Sequence, residues 1–206
     1  GMIRSQDIFT STFGNINVYT AFVDIVVGVA AALFIAAEGR KIFWYYFCIV
    51  ISLTAAVTGR SDNVYLAFGV LLAFLPFYAF NSKKGIGRYL VIAATLCTVI
   101  KILALFQARI GSELGMVIGL EGIAEAIGPT AIFTTVVVFL WLLTGLFYYI
   151  AKKQLDISLR KKEKKIWAII LFILAAITVG IFLDANLGRH GERYGFLASY
   201  LVFNDY

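Results

Sequence analysis

The sequence predicts an all-α membrane protein, a polytopic helical bundle of six transmembrane helices with both termini extracytoplasmic. Hydrophobic residues make up 61% of the chain and charged residues only 15%, whereas about 25% of a typical soluble domain is charged. So few polar side chains cannot cover a water-facing surface, and most of the surface must therefore face lipid. The mean hydropathy of +0.89 agrees with this class.

Six apolar runs reach or approach the length of about 20 residues that a membrane-crossing helix needs. In chain order they are residues 15–36, 42–59, 64–80, 89–108, 131–150 and 166–187. The second and third runs are short and close together, which favours a tight helical hairpin. The whole chain is interpreted as one transmembrane domain, with an outer loop at 109–130 and a tail at 188–206 that begins a larger extracytoplasmic loop.

The distribution of positive charges predicts how the chain is oriented in the membrane. Twelve of the 18 Lys and Arg residues fall in three loops on one side, at residues 40–41, 83–88 and 152–165. Because cytoplasmic loops are enriched in Lys and Arg, these loops are expected inside and both termini outside. The basic pI of 9.3 therefore reflects topology, and no nucleic-acid partner is expected.

Asp24 and Lys101 are ionisable residues within predicted spans, where a charge costs several kcal/mol unless it is paired or hydrated. At about 1.5 Å of rise per residue, Asp24 lies roughly 14 Å and Lys101 roughly 10 Å below the outer ends of their helices. Their similar depths predict that they pair, directly or through water. The pair would either lock two helices together or line a polar substrate cavity, and Lys101 could also extend its long stem outward.

Five arginines are expected on the outer side, which the charge rule normally depletes of them, and three of these are candidate phosphate ligands. Arg60 lies in the turn between the second and third spans, and Arg189 and Arg193 follow the last span. A guanidinium group stays charged and binds phosphate through a planar fork of donors. These arginines are therefore either phosphate ligands or ordinary interfacial anchors.

The few cysteine and histidine residues of the chain argue against a metal site. Cys48 and Cys97 lie within apolar runs and are interpreted as small core residues. With one histidine in the chain, the sequence offers no cluster of zinc ligands.

Two short motifs resemble the O-antigen ligase and O-antigen polymerase family. Residues 11–17, STFGNIN, lead into the first apolar helix and are similar to the family's FGNxN block. Residues 58–66, TGRSDNVYL, resemble its next block, in which one span ends in a short polar turn and another begins at once. The layout of all 206 residues fits the family, but its histidine motif and later helices are absent. We therefore expect a central fragment of a longer enzyme, inactive by itself.

The resemblance implies a glycosyltransferase in the cytoplasmic (inner) membrane of a bacterium, acting in surface polysaccharide assembly. Its donor would be a glycan linked to undecaprenyl diphosphate, and its acceptor a glycan or lipid hydroxyl, without cofactor or metal. Arg60, Arg189 and Arg193 would neutralise the departing diphosphate, with Arg60 and Arg193 as the catalytic residues. The amides of Asn15 and Asn17 would contact sugar or phosphate, or instead cap the first helix.

Two other functional classes fit the same composition. A transporter or flippase segment would use Asp24 and Lys101 as a coupling pair in a central cavity, although the sequence has no visible internal repeat. A non-catalytic membrane scaffold would use its charges only to hold helices together. Both classes share membrane lipids as partners with the enzyme.

Overall fold

The computed structural model describes residues 16–59, 61, 63–111, 127–152 and 161–187. In chain order these residues form α1 (Ile16–Ala36), α2 (Lys41–Thr58), α3 (Asn63–Ala79), α4 (Lys83–Phe106), α5 (Ala131–Lys152) and α6 (Lys161–Leu187). A π-helical turn, Gln107–Gly111, follows α4. The described residues contain no β-strand, so the all-helical class is confirmed.

Membrane-crossing length is reached by four of the described helices, namely α1, α2, α4 and α5. The apolar helices Val64–Ala79, within α3, and Ala168–Ile177, within α6, are shorter than these four. Four helices of this length and hydropathy indicate a membrane protein, because continuous apolar helices of about 20 residues are typical of membrane spans.

The chain divides into two compact units, Gly1–Ser158 and Leu159–Tyr206. In the first unit, α1 packs against α2, α3 and α4, and α5 packs mainly against α4. The core lies among α1–α4, and its most deeply buried large side chains include Val27, Ile49, Leu53 and Ile92. Helix α6 is the described part of the second unit.

Contacts at the helix ends show that neighbouring helices of the first unit run in alternating directions. Lys84 Nζ lies 3.0 Å from Glu38 Oε1, which joins the start of α4 to the segment after α1. Tyr19 Oη donates to the Ala55 carbonyl at 3.5 Å, which joins the start of α1 to the end of α2. We call the region of residues 37–41, 81–88 and 147–152 the basic end, and the region of residues 16–20, 55–59, 101–111 and 127–131 the opposite end.

Positive residues of the first unit concentrate at the basic end. Within the described residues this end carries Arg40, Lys41, Lys83, Lys84, Arg88 and Lys152, whereas the opposite end carries Lys101 and Arg109. The fold of the first unit therefore gathers at one end the basic residues of 40–41 and 83–88 together with Lys152, which are part of the charges on which the predicted orientation depends.

Helix α4 begins at Lys83, before the apolar run at 89–108. Ser82 has an extended backbone, and its Oγ accepts a hydrogen bond from the Gly85 N–H at 3.0 Å. Ser82 is thus the N-cap, which satisfies one of the free N–H groups of the first turn. Hydropathy locates the apolar part of a helix, whereas the cap locates its first residue.

Helix α3 contains a buried proline, Pro76, whose missing N–H is compensated by a neighbouring helix. Proline cannot donate to the carbonyl four residues earlier, so the Leu72 oxygen loses its usual helical partner. Tyr89 of α4 donates its hydroxyl to that oxygen at 2.9 Å. The Tyr89 ring also meets Phe80 edge-on, with centroids 5.2 Å apart. The hydrogen bond therefore links α3 to α4 at the point where Pro76 interrupts the helix.

Replacing Tyr89 by phenylalanine is expected to lower the free energy of unfolding by about 1 kcal/mol, because the Leu72 oxygen loses its donor. In a Pro76→Ala background the same change should cost much less, since the new backbone N–H at position 76 can then bond to the Leu72 oxygen. Unfolding of the four proteins in mixed micelles of dodecyl maltoside and dodecyl sulfate gives the coupling energy. Equal losses in both backgrounds would contradict this pairing of proline and tyrosine.

Cys48 is exposed, so its interpretation as a core residue is wrong. Helix α2 directs Ile49, Leu53 and Ala56 into the core. These positions recur at the helical spacing of three to four residues, and the residue just before Ile49 therefore lies off that face. Cys97 of α4 is half-buried.

Helix α5 joins the bundle through few polar and small-residue contacts. Trp141 Nε1 donates to Thr98 Oγ1 at 2.9 Å, and Gly87 lies against the rings of Phe147 and Tyr148. Only Thr144 is buried among the described residues of α5. In a bilayer the remaining apolar side chains face acyl chains, so helices associate through such local contacts rather than through hydrophobic burial.

Candidate functional site

The opposite end brings the start of the second family-like motif, at the end of α2, against the part of α1 that follows the first motif. Gly59 follows α2 and packs so closely on α1 that an added Cβ would lie 2.6 Å from Thr20 Cγ2 and 3.4 Å from the Tyr19 ring. Thr20 is 1% exposed and Ser61 is 7% exposed, so polar residues are buried beside this contact. A residue with a side chain at position 59 would hold the end of α2 away from α1.

Most of the predicted site residues lie outside the described residues. These are Asn15, Arg60, Arg189 and Arg193; Asn17 lies in the first turn of α1, but its side chain is outside the described part. Their roles therefore stay predictions. What the structure adds is that Gly59 and Ser61, on either side of Arg60, lie at the same end of the bundle as the first turn of α1.

Lys101 binds backbone carbonyls rather than a carboxylate. Its Nζ lies 3.0 Å from the Gly128 oxygen, 3.2 Å from the Pro129 oxygen and 3.2 Å from the Thr130 oxygen. An ammonium group has three N–H donors, so these three acceptors satisfy it completely. The contact ties α4 to the segment before α5, where Thr130 Oγ1 accepts from the Phe133 N–H at 3.2 Å.

Asp24 has no such partner. Its Oδ1 is buried and makes no hydrogen bond, and among the described residues it is the one buried side-chain polar atom left without a partner. The predicted direct pair with Lys101 is therefore not formed. The physical reason is that the carbonyls of residues 128–130 lie within reach of the ammonium group and occupy all its donors. Asp24 is left as a carboxyl group inside a helix bundle, where an uncompensated charge is costly.

Arg88 is the main polar residue that the sequence did not reveal as buried. Its side chain is 4% exposed, although the sequence placed it in a basic loop. Nη1 donates to the carbonyls of Phe34, Ile35 and Ala37 at 2.9, 2.7 and 2.8 Å. The guanidinium carbon also lies 5.6 Å from the centre of the Phe34 ring.

The Arg88 contacts explain how α1 ends at Ala36 at the basic end. The last carbonyls of a helix have no partner within it, and together they form the negative end of the helix dipole. A cation placed on them supplies both hydrogen bonds and favourable electrostatics. The signal in the sequence is the spacing Gly85-Ile86-Gly87-Arg88, in which small residues allow close approach of neighbouring segments beside an arginine.

Searches for metal sites and for relatives add no assignment. The described ranges hold no group of three or more His, Cys, Asp or Glu residues that could bind a metal ion. No protein-family model, no curated protein and no solved structure matches the chain.

Proposed function

We propose that the chain is part of a membrane glycosyltransferase that moves a glycan from undecaprenyl diphosphate to an acceptor hydroxyl in surface polysaccharide assembly. In this proposal six helices cross the cytoplasmic membrane of a bacterium, and the opposite end of the bundle faces outward. The observation that carries the proposal is the close packing of Gly59 on Thr20 and Tyr19. This contact puts Gly59 of the second family-like motif beside the residues that follow the first motif, as a shared site would require.

The proposed orientation is supported by the charges of the two ends. The basic end holds most of the described Lys and Arg residues of the first unit, and basic loops are retained on the cytoplasmic side. The opposite end then faces the compartment in which a lipid-linked glycan is assembled into a surface polymer.

In the proposed reaction the acceptor oxygen attacks the first sugar carbon of the donor. The bond from that carbon to the diphosphate oxygen breaks, its electron pair stays on the diphosphate, and a general base takes the acceptor proton. Negative charge grows on the leaving diphosphate as the bond breaks. Arg60, Arg189 and Arg193 stabilise that charge, which lowers the barrier more than it strengthens donor binding.

The proposal predicts that Arg60→Lys lowers glycan transfer by about 10²- to 10³-fold, because lysine keeps the charge but loses the two-pronged hydrogen bond. The reaction is measured in membranes carrying the whole protein, with a glycan on undecaprenyl diphosphate as donor. The amount of inserted protein is measured in the same membranes.

Arg109→Lys is the matched control, since Arg109 is an exposed arginine in the π-helical turn at the same end. It should transfer glycan at the normal rate. Full transfer by the Arg60→Lys protein, or an equal loss in both variants, would overturn the assignment of Arg60.

A transporter or flippase is the second candidate, and the unpaired Asp24 oxygen favours it. Asp24 itself is half-buried, and ionisable residues within spans often mark polar pathways through membrane proteins. Asp24→Asn keeps the shape of the side chain but removes its acidic group. If the chain moves a lipid-linked glycan across the bilayer through Asp24, this change stops translocation in reconstituted vesicles. If it acts as a transferase through its arginines, glycan transfer persists.

A further inference from the structure

A cleft opens at the basic end between the end of α1 and the start of α2. Its volume is about 350 Å³, and it is lined by Leu33, Ala36, Ala37, Glu38, Lys41 and Tyr45. Three of these residues are apolar and belong to the last turn of α1 or follow it. The others are polar or charged and lie towards the helix ends, so one wall of the cleft is apolar and its rim is polar.

Positive charge dominates the rim of the cleft. Lys41 is exposed and has no ion-pair partner among the described residues. Glu38 is held by Lys84 at 3.0 Å, and that hydrogen bond lowers the pKa of the Glu38 carboxyl below its usual range. The carboxylate is therefore already compensated, and it brings a second ammonium group to the rim. Arg40 adds a third cation beside them.

Aromatic residues indicate the depth of the cleft in the membrane. Phe43 and Trp44 are 66% and 62% exposed, and their rings meet edge-on at 5.8 Å. Tryptophan and tyrosine are enriched at the boundary between headgroups and acyl chains, where an apolar ring and a polar atom are both accommodated. The first two turns of α2 thus lie at the level of the lipid headgroups, and Tyr45 in these turns lines the cleft.

We propose that this cleft binds an anionic phospholipid, with Lys41 and Tyr45 donating to the headgroup phosphate and Leu33 and Ala36 contacting the upper acyl chain. The ammonium and hydroxyl groups match a phosphate, which accepts hydrogen bonds only. The apolar wall matches the part of the lipid just below it. Basic pockets between transmembrane helices on the cytoplasmic side bind acidic headgroups in this way. The site lies at the other end of the bundle from the proposed transferase site; it rests on the orientation proposed above but not on the transferase activity.

The test is a titration of the detergent-purified chain with phosphatidylglycerol, in which native mass spectrometry counts bound lipid. Lys41→Gln should weaken binding about fivefold, as expected for one lysine at a membrane surface. Lys152→Gln removes an exposed charge from the basic end away from the cleft and should change binding less than about twofold. Tyr45→Phe should add to the loss in Lys41→Gln, because it removes the second donor to the phosphate.

A second variant tests the apolar wall without touching any charge. Ala36 is exposed in the cleft, so Ala36→Phe should fill the space and exclude the lipid while the protein stays folded. Equal weakening by Lys41→Gln and Lys152→Gln would overturn the site and leave general surface attraction. Equal affinity for phosphatidylcholine would overturn headgroup selection. Competition by millimolar inorganic phosphate would overturn the lipid as the ligand, because a free anion would then suffice.

Discussion

Replacing Arg88 by leucine is expected to lower the free energy of unfolding by about 3–5 kcal/mol, because three buried carbonyls lose their donor at once. Each unsatisfied buried carbonyl costs about 1–3 kcal/mol, and water at the basic end recovers part of that loss. The contact over the Phe34 ring is lost as well. The measurement is the dodecyl sulfate fraction at which helicity is lost from dodecyl maltoside micelles.

Two further variants separate the geometry of Arg88 from its charge. Arg88→Lys keeps the cation at the end of α1 but presents a compact ammonium group on a different stem, so it should recover only part of the stability. Lys84→Gln removes an exposed charge one turn earlier on α4 and should change stability little, since surface ion pairs contribute little. An Arg88→Leu protein that unfolds at the wild-type dodecyl sulfate fraction would show that the end of α1 needs no such donor.

Gly85→Ala is expected to destabilise the bundle by about 3 kcal/mol, the second largest effect on stability predicted for this chain. An added Cβ at Gly85 would overlap the carbonyl oxygen of Ala79 and come within 3.1 Å of Ser82 Oγ. The obstacle is backbone at the end of α3, so a rotamer change cannot relieve it. The turn between α3 and α4 would have to open, which also weakens the Ser82 cap.

Gly69→Ala provides the matched control for Gly85→Ala. Gly69 lies in the middle of α3 with nothing within 4 Å of an added Cβ. Alanine there should leave stability unchanged or raise it by about 0.5–1 kcal/mol, because it restricts the unfolded chain. Both variants are compared by the same micelle titration. Equal stability of the two proteins would mean that the α3–α4 turn accommodates a side chain at position 85.

Hydropathy predicted the positions of the helices well, because helices that contact lipid need long runs of apolar side chains and hydropathy measures that apolar character. The run at 131–150 lies within α5, Ala131–Lys152, and the run at 15–36 coincides almost fully with α1, Ile16–Ala36. The start of α4 was harder to predict, because Lys83 and Lys84 are helical although charged. In that case the local hydrogen bond from Gly85 to Ser82 decides the boundary, and average hydropathy carries no information about it.

The partners of the polar residues could not be predicted from the sequence for a different reason. Arg88 binds carbonyls more than 50 positions earlier, and Lys101 binds carbonyls of residues 128–130. Every residue has a carbonyl, so the sequence does not mark which carbonyls lack a helical partner. The sequence suggested Asp24 as the partner of Lys101 only because the two residues lie at similar depths. The actual partner depends on which backbone carbonyls lie within reach of the ammonium group.

The closeness of Gly59 to the start of α1 was partly predictable. Alternating helices must return the end of α2 to the level of the start of α1, so the ends of the two motifs were bound to share one side of the membrane. The direct contact of Gly59 with Thr20 could not be read from that argument, because it depends on how closely two particular helices approach.

The difference in length between α3 and α4 has a consequence for the surrounding bilayer. Helix α3 has 17 residues and α4 has 24, which correspond to lengths of about 25 Å and about 36 Å at 1.5 Å per residue. The hydrocarbon layer is about 30 Å thick, so α3 is too short for it, whereas the extra length of α4 consists of the polar first turns at residues 83–88. In the proposed six-span arrangement, lipids beside α3 compress, while the charged first turns of α4 lie in the headgroup layer. That arrangement predicts a locally thinned annulus of lipid on one flank, so the protein should partition into thinner membranes when bilayers of different thickness compete for it.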